Sequence, residues 1–271
     1  MTRTRKPILT ARKADKFVLY QKSVQSAGED VRFMSRRFLK MTGKPLRHFR
    51  EDFCGSSSLS CEFVKLHRDN RALGVDLDGP TLRWARTHNL SKLTDSQRDR
   101  ITLRRANVLS VSRPRVQLIA ALNFSYWVFK SRTQLLAYLK NGRRSLARGG
   151  VMMLDVYGGS ETQIEQEDRT RMGGFTYVWD QSKFDPVSHE ILCKIHFEFK
   201  DGTAMRNAFT YDWRLWTLPE LRELFGEAGF RDVHVLWEST ERKTNEGNGV
   251  FRRVARGDAD PSWIAYVVGS A

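Results

Sequence analysis

The apolar positions of the chain change from one repeating pattern to another along its length. A first set recurs every three or four residues and predicts an amphipathic helix over 27–41. Its apolar residues are Val31, Met34, Phe38 and Met41. Gly43-Lys44-Pro45 ends this helix, because proline disfavours a helical conformation in the residue before it. Residues 1–16 show no such pattern and are expected to be loose.

Short apolar strands alternate with helices from Leu46 onward. Strands are predicted at 73–76, 101–108, 116–122 and 151–156, and helices at 59–67, at 78–89 and around 135–139, the last closed by Gly149-Gly150. The run 116–122 is apolar on both faces, as a buried parallel strand is. A capping box, Thr217 to Glu220, opens another helix, and strands at 233–237 and 263–268 follow it with a polar loop between them. The alternation predicts an α/β fold.

Residues 160–216 follow a different period, in which apolar and polar residues alternate. Ile191, Cys193 and Ile195 mark one face of a half-buried strand, and His196 falls on its polar face, where it is predicted to be solvated. Asp201-Gly202 is a hairpin signal before a further strand at 205–210. This segment is therefore predicted to be an antiparallel insertion.

The amino-acid composition limits the classes of protein to which the chain can belong. Hydrophobic residues make up 40% of the chain, enough for a core, and no apolar run approaches the roughly 20 residues that cross a bilayer. The basic N-terminus has no apolar segment after it, so no secretory signal is predicted. Cys54, Cys61 and Cys193 are widely spaced without a Cys-x-x-Cys pair, which predicts neither a zinc site nor disulfides. The expected location is the cytoplasm.

The net charge of +15 is concentrated near the N-terminus. Residues 1–50 hold 14 Lys and Arg side chains against three acidic ones, which leaves +11 in this segment. Clustered cations bind polyanions by releasing condensed counterions, so contact with nucleic acid is one interpretation. A solvated basic arm without a partner is the other, because no aromatic residues are interleaved with the charges of 1–16.

The residues that point to a bound ligand are a loop and a carboxylate that follows it in the sequence. Glu51-Asp-Phe-Cys-Gly55 runs from a strand into a tight turn before the helix at 59–67, and Asp76 ends the next strand. A turn that brings backbone N–H groups to a cofactor, with an acid about 20 residues further on for a ribose, is the layout of a nucleoside-binding α/β domain. A dinucleotide-binding dehydrogenase would need Gly-x-Gly-x-x-Gly, and here Gly55 stands alone among serines.

On these motifs the chain resembles the class I S-adenosylmethionine-dependent methyltransferases over residues 46–271. More narrowly, it is similar to a bacterial group that shares Arg-Glu-Asp-Phe-Cys-Gly (50–55), Asn-Phe-Ser-Tyr-Trp (123–127) and Tyr-Asp-Trp-Arg-Leu-Trp (211–216). The resemblance implies a Rossmann-like seven-stranded sheet whose last strand is antiparallel, with the β insertion after strand five. It also implies one bound S-adenosylmethionine.

The resemblance assigns cofactor contacts residue by residue. Glu51 would accept from the cofactor's amino group, Asp76 would bind the ribose, and Leu77 would pack on the adenine. The turn against the methionyl and ribose groups is formed by Phe53, Cys54, Gly55 and Ser56, and the adenine edge by Asn107 and Val108. Two of the family's three turn glycines are replaced, by Phe53 and Ser57, and Asn107 replaces its usual aspartate.

The acceptor side of the site is predicted at the carboxyl end of the fourth strand. Asn123, also counted among the cofactor contacts, could accept a hydrogen bond from a substrate amine, with Tyr126 orienting or shielding it. Tyr20 is a candidate lid residue before the first helix. Arg214 is a candidate for pairing a substrate carboxylate or phosphate, while Trp213 and Trp216 are expected to pack the insertion.

These predictions define domains and functions. Residues 1–45 are predicted to be a basic arm with a lid helix, and 46–271 a methyltransferase domain in which 160–216 covers the substrate. The leading function is methyl transfer to a nitrogen or oxygen atom of a small molecule. The alternative is a nucleic-acid amino methyltransferase, although 123–126 lacks the prolines of Asn-Pro-Pro-Tyr that grip a flipped base. A cofactor-binding protein without catalysis is the third possibility.

Overall fold

The computed structural model describes residues 9–241 and 247–271, so the prediction for residues 1–8 lies outside the described residues. The chain divides into two compact units. One contains the described residues up to Gln25 together with Thr162–Leu215, and the other contains Ser26–Glu161 with Trp216–Ala271. Within the described ranges, no helix has the length and apolarity needed to cross a bilayer.

Helices and strands alternate in the order that the sequence predicts. The helices are α1 (Lys16–Val24), α2 (Ala27–Thr42), α3 (Ser58–Leu66), α4 (Gly79–His88), α5 (Asp95–Arg98), α6 (Arg132–Ser145) and α7 (Leu218–Glu227). The strands are β1 (His48–Asp52), β2 (Arg71–Asp76), β3 (Ile101–Arg105), β4 (Val116–Ala121), β5 (Leu146–Gly158), β6 (Gln166–Arg171), β7 (Phe175–Asp185), β8 (Glu190–Phe199), β9 (Ala204–Arg214), β10 (Arg231–Thr240), β11 (Gly247–Val254) and β12 (Trp263–Ser270).

The larger unit is built on one twisted sheet with the strand order β11-β10-β12-β5-β4-β1-β2-β3. The strands from β3 to β5 in this order pair in parallel, and β12 then pairs antiparallel with β5. The chain order reverses between β1 and β4, and ligands of open α/β sheets bind at such a reversal, outside the carboxyl ends of the strands. The predicted fold class is confirmed.

The sheet has one strand more than predicted. Strand β11 pairs antiparallel with β10 at the edge of the sheet, where the sequence predicts a polar loop. Its residues are mostly exposed, so it lacks the apolar alternation by which a half-buried strand is detected. An edge strand can be held by backbone hydrogen bonds without burying a face of its own.

The centre of the sheet is packed on both faces. Leu118 and Ile119 of β4 are fully buried, which confirms the prediction of a buried parallel strand at 116–122, and Met152 and Met153 of β5 are fully buried beside them. Helix α2 covers one face through Val31, Met34 and Phe38, and it ends at Gly43, whose φ of 68° closes the helix in the left-handed conformation.

One predicted helix boundary is wrong. Gly149 and Gly150 lie inside β5, not at the end of α6, which stops at Ser145. The pairing of β5 with β4 shifts register between Val116 and Leu118, and Gly149 adopts a φ of 72° there. The glycines therefore form a bulge in the strand, a role that the sequence does not distinguish from a helix cap.

The smaller unit contains the antiparallel sheet β6-β7-β8-β9, within the segment where the insertion is predicted. His196 on β8 is 4% exposed, so the prediction that it is solvated is wrong. Its Nδ1 accepts from the backbone N–H of Asn207 at 2.8 Å, and Nε2 therefore carries the proton and faces Asp180 at 3.1 Å. Burial of this polar residue is possible because both ring nitrogens are hydrogen-bonded.

Tyr20 lies within α1, not before the first helix as predicted. Asp15 caps α1 by accepting from the backbone N–H groups of Phe17 and Val18 at 2.8 and 3.2 Å. The Tyr20 ring packs against Phe209 with centroids 4.9 Å apart. Helix α1 escapes detection because its apolar residues are consecutive and do not form one helical face, so that Leu19 alone is buried.

Candidate functional site

The loop between β1 and α3 has a left-handed backbone at every second residue. Phe53, Gly55 and Ser57 have φ values of 55°, 47° and 59°. The family that the chain resembles has glycine at these three positions. This chain keeps the left-handed backbone at all three, although Phe53 and Ser57 carry side chains. A left-handed conformation costs an L-residue about 1–2 kcal/mol. The N–H groups of this loop have different acceptors: that of Cys54 donates to the backbone oxygen of Val75, and that of Gly55 donates to the carboxylate of Asp76.

The two replacement side chains are accommodated differently. The Phe53 ring packs against Phe129 and Tyr138, at centroid distances of 5.9 and 5.8 Å. Ser57 is fully buried, and its Oγ has no hydrogen-bond partner among the described residues. Phe53 therefore gains packing in return for its backbone strain, whereas Ser57 adds an unsatisfied hydroxyl to it.

Asp76 joins this loop to the end of β2. Its Oδ2 accepts from the backbone N–H of Gly55 at 2.7 Å, and its Oδ1 accepts from the backbone N–H of Asp78 at 2.8 Å. A carboxylate has about four lone-pair sites, so each oxygen keeps capacity for a further donor. Strands β1 and β2 are parallel neighbours, which places both residues at the same edge of the sheet.

Glu51 is 4% exposed and caps the start of α3. Its Oε2 accepts from the backbone N–H and the Oγ of Ser60, at 2.9 and 2.5 Å. Burial raises the pKa of Glu51 to about 7, partly opposed by the bonds from Ser60, and the charge of Asp76 raises it further. A cationic group beside Glu51 would favour its ionised form.

The remaining residues of the predicted cofactor site differ in exposure. Leu77 is 62% exposed, an unusual position for a large apolar side chain unless a partner covers it. Asn107 is exposed, with its Oδ1 bonded to the N–H of Leu109 at 2.9 Å, while Val108 is buried. All three follow β2 or β3, which are adjacent at the same edge of the sheet.

Cys54 and Ser56 belong to the inner side of the loop. Cys54 is 3% exposed, and burial raises the pKa of its thiol well above the usual range, so it is not suited to be a nucleophile. A Cβ on Gly74 would lie 2.8 Å from Cδ2 of Leu103 and 3.0 Å from Sγ of Cys54, so glycine on the neighbouring strand leaves room for both side chains. The Ser56 backbone oxygen accepts from Nδ2 of Asn89 at 2.8 Å.

On the acceptor side, the loop after β4 is held by Asp155 of β5. Asn123 and Phe124 both have a φ of 56°, and their N–H groups donate to the Asp155 carboxylate at 2.6 and 3.0 Å. Tyr126 is fully buried, with its hydroxyl donating to the backbone oxygen of Asp155 at 2.9 Å. The structure thus brings Asn123 and Tyr126 together around Asp155, a residue that the sequence pattern does not single out.

A second acidic residue, Asp30 of α2, interacts electrostatically with Asp155. Burial raises the pKa of Asp155 to about 7, its two backbone bonds oppose this, and the charge of Asp30 raises it further. Asp30 itself has a pKa raised to about 6 by burial and by Glu29. Tyr266 is the cross-strand partner of Asp155. In the sequence, Asp155 stands out only as the one acidic residue within the apolar run 151–156.

Arg50 and Asp52 form a buried ion pair beneath the loop. The Arg50 Nε donates to Asp52 Oδ1 at 2.6 Å, and Asp52 Oδ2 accepts from the hydroxyl of Tyr138 at 3.0 Å. The other Arg50 nitrogens donate to the backbone oxygens of Val111 and Val108, at 2.6 and 3.1 Å. These two motif residues therefore fix the strand that carries the loop.

The aromatic segment before α7 packs in the interior. Trp213 and Trp216 are 4% and 2% exposed, as expected of packing residues. Trp213 stacks on Tyr211 with centroids 4.3 Å apart, and Nε1 of Trp216 donates to the backbone oxygen of Phe129 at 3.1 Å. Arg214 is half-buried at the end of β9, and its substrate role stays a prediction.

Comparison with known proteins identifies the fold. No family model and no curated protein matches the chain. An S-adenosylmethionine-dependent methyltransferase from Clostridium acetobutylicum is similar in structure, with a TM-score of 0.68 at 15% identity over 94% of this chain and 97% of that one. The fold is that of S-adenosylmethionine-dependent methyltransferases.

Two further solved structures extend the likeness over nearly the whole chain. The amino pentose methyltransferase CalS10 from Micromonospora echinaspora has a TM-score of 0.66 at 14% identity, covering 98% of this chain and 99% of that one. The sugar N-methyltransferase KedS8 from Streptoalloteichus has a TM-score of 0.63 at 15% identity, covering 100% and 96%. The antiparallel insertion is thus included in the shared fold.

Proposed function

We propose that the protein is an S-adenosylmethionine-dependent methyltransferase that methylates an amino group of a small molecule. The observation that carries the proposal is the contact between Gly55 and Asp76, which joins the left-handed loop to a carboxylate at the sheet edge. The same edge presents the exposed Leu77 and the buried Glu51. The bacterial group that shares Arg50 to Gly55 is the narrower assignment that we propose.

The residues at this edge fit the chemistry of the cofactor. The oxygens of Asp76 can each accept one further bond from a ribose hydroxyl, because each now holds one backbone N–H. Leu77 offers an apolar surface to an adenine. Asn107 has a side-chain amide for the edge of the same ring. Glu51 is placed to balance the charge of an ammonium group, directly or through water.

When bound, S-adenosylmethionine supplies an electrophilic methyl group attached to a sulfonium. The chain must then hold the acceptor in line with that group and leave its nitrogen with a free lone pair. Asn123 is our candidate to accept a hydrogen bond from the acceptor amine, and Asp155 fixes the backbone of Asn123. Tyr126 supports this loop from the interior through its bond to Asp155.

An amine is the acceptor that the site supports best. Asp30 and Asp155 bring two carboxyl groups to one side of the sheet, in a protein whose net charge is +15. In their ionised forms, which both groups reach close to neutral pH, these carboxyl groups favour a cationic amine on approach. Structures of similar fold include proteins named as an amino pentose methyltransferase and a sugar N-methyltransferase. Both observations support nitrogen over oxygen.

The nucleic-acid alternative is weaker. A methyltransferase that acts on a flipped base needs side chains free to stack on that base. Tyr126, the residue at the matching position, is fully buried and its hydroxyl is bonded to Asp155. The cytoplasmic location, the substrate-covering role of residues 160–216 and the lid role of Tyr20 remain proposals.

Methyl transfer can be measured without knowing the acceptor. The protein is incubated with S-adenosylmethionine and pools of amino sugars, other small amines, sugar alcohols, RNA and DNA, and release of S-adenosylhomocysteine is followed. We expect turnover in an amine pool, with the new methyl group on nitrogen. Turnover only with RNA or DNA would overturn the small-molecule assignment.

A further inference from the structure

A cavity of the larger unit lies away from the edge of the sheet that carries Asp76. It has a volume of about 670 Å³ and lies between α2 and the β10–β11 hairpin. Asp232 and Ser270, which line it, stand near the start of β10 and the end of β12. Arg231 pairs with Ser270, and Ser270 pairs with Val151 of β5. The cavity is therefore at the amino edge of the sheet, opposite Asp76.

Positive charge dominates this cavity. Its charged lining residues are Arg37, Lys40, Arg252, Arg253 and Asp232. Asp232 is already paired with Arg253 at 2.8 Å. In the part of the chain that the structure describes, no ion pair joins Arg37 or Lys40 to an acidic side chain. Among those described residues, Arg37 and Lys40 are therefore left without an ion-pair partner.

The Arg37 guanidinium is held in place by an aromatic ring. It lies over Phe33 at 5.6 Å from the ring centroid, and Phe33 packs on Phe251 with centroids 5.2 Å apart. Burial and the charge of Arg36 lower the pKa of Arg37, as expected for a cation whose neighbours do not compensate it. An ordered guanidinium loses less entropy when it binds an anion.

The cavity also has an apolar floor. Leu236, Phe251 and Met41 line it beside the cations. Binding sites for small molecules have volumes of roughly 300–1,000 Å³ and combine apolar walls with a few polar groups that fix orientation. An apolar floor next to unpaired cations matches a ligand with a planar apolar part and at least two negative charges.

We propose that this cavity binds a phosphate ester of nucleotide size, with Arg37 and Lys40 on the phosphates and Phe251 against the apolar part. Guanidinium groups recognise phosphate oxygens in a bidentate manner, and a diphosphate can engage several cations together. The site is independent of the proposed methyl transfer, because none of its residues belongs to the loop, Asp76 or Asp155.

The test uses calorimetric titration of the full chain at 150 mM salt. The probes are ADP, inorganic pyrophosphate and a phosphate-free nucleoside, adenosine, each added after saturation with S-adenosylhomocysteine. Saturation keeps adenine-containing probes out of the methyl-transfer site. The variant is Arg37→Gln with Lys40→Gln, and the control is Arg68→Gln, whose side chain is 90% exposed in the same unit.

We expect ADP to bind more tightly than pyrophosphate, and adenosine not to bind. The double variant should weaken ADP binding at least tenfold, while the control and the affinity for S-adenosylhomocysteine stay within twofold. Equal ADP binding by the double variant and the control would overturn the proposal. So would binding of an RNA oligonucleotide without binding of ADP, which would make this face a docking surface for nucleic acid.

Discussion

The backbone N–H of Gly55 donates to Oδ2 of Asp76 at 2.7 Å, across 21 residues of sequence. The bond joins the ends of two parallel neighbouring strands and holds a carboxylate against a left-handed loop. Everything that we propose for the cofactor depends on this edge of the sheet. The residues that support it can be tested one at a time.

Removal of the buried partner of Arg50 should destabilise the protein strongly. Asp52→Ala leaves a guanidinium uncompensated in the interior, and breaking such a pair costs about 3–5 kcal/mol of the free energy of unfolding. Urea unfolding followed by circular dichroism measures the change. The exposed pair between Arg132 and Glu227 is the control, since Glu227→Ala should have a much smaller effect. Similar effects of the two substitutions would contradict the structural role of Asp52.

Ser57→Gly should stabilise the protein by about 1 kcal/mol, which is unusual for a buried position. Glycine adopts a φ of 59° without strain, and the substitution also removes an unpaired buried hydroxyl. Gly55→Ala is the matched opposite change, at a φ of 47°, and should destabilise. The melting temperatures of both variants, from thermal unfolding, measure these two opposite changes in stability. A lower melting temperature for Ser57→Gly would show that its hydroxyl has a partner in solution.

The stability of the wild-type protein should fall as the pH rises from about 4.5 to 7. Glu51 has a folded-state pKa near 7 against 4.5 when exposed, so the folded protein binds its proton more tightly than the unfolded chain does. Above pH 7 this contribution is fully lost, and it amounts to roughly 3 kcal/mol. Unfolding at pH 5 and pH 8 should show a smaller decrease for Glu51→Gln. The same decrease in both proteins would assign the pH dependence to other groups.

Asp155→Asn should loosen the loop after β4. One amide oxygen cannot replace a carboxylate that accepts from both Asn123 and Phe124, so these two amides should exchange hydrogen faster. Hydrogen exchange followed by NMR measures the two amides directly. Asp78→Asn, in another loop of the same edge, should leave them unchanged. Unaltered protection in Asp155→Asn would remove Asp155 from its positioning role.

The sequence is sufficient for the parts of the site that depend on strand order. Gly55 and Asp76 are predicted together because turns that follow adjacent parallel strands meet at one edge. Helix α7 is predicted from its capping box, and the Thr217 Oγ indeed accepts from the backbone N–H of Glu220. Such local and topological rules need no knowledge of distant contacts.

The parts that were missed depend on partners far away in sequence. Asp155 acts on a loop about 30 residues earlier, and burial of His196 depends on Asp180 and Asn207 in neighbouring strands. Arg50 is a cation of β1 that is fully buried, although arginine is normally exposed. Sequence patterns show which face is apolar, but they do not show which polar groups meet in the interior.

Binding of S-adenosylmethionine at Asp76 is tested most directly by calorimetric titration of the wild-type protein and of Asp76→Ala with S-adenosylmethionine. Asp69→Ala, on an exposed acid, serves as control. We expect micromolar binding by the wild-type and control proteins, and a loss of at least tenfold, about 1.4 kcal/mol, in Asp76→Ala with its fold intact by circular dichroism. Wild-type protein that does not bind S-adenosylmethionine would contradict the central claim, and an unchanged Kd in Asp76→Ala would contradict the proposed site.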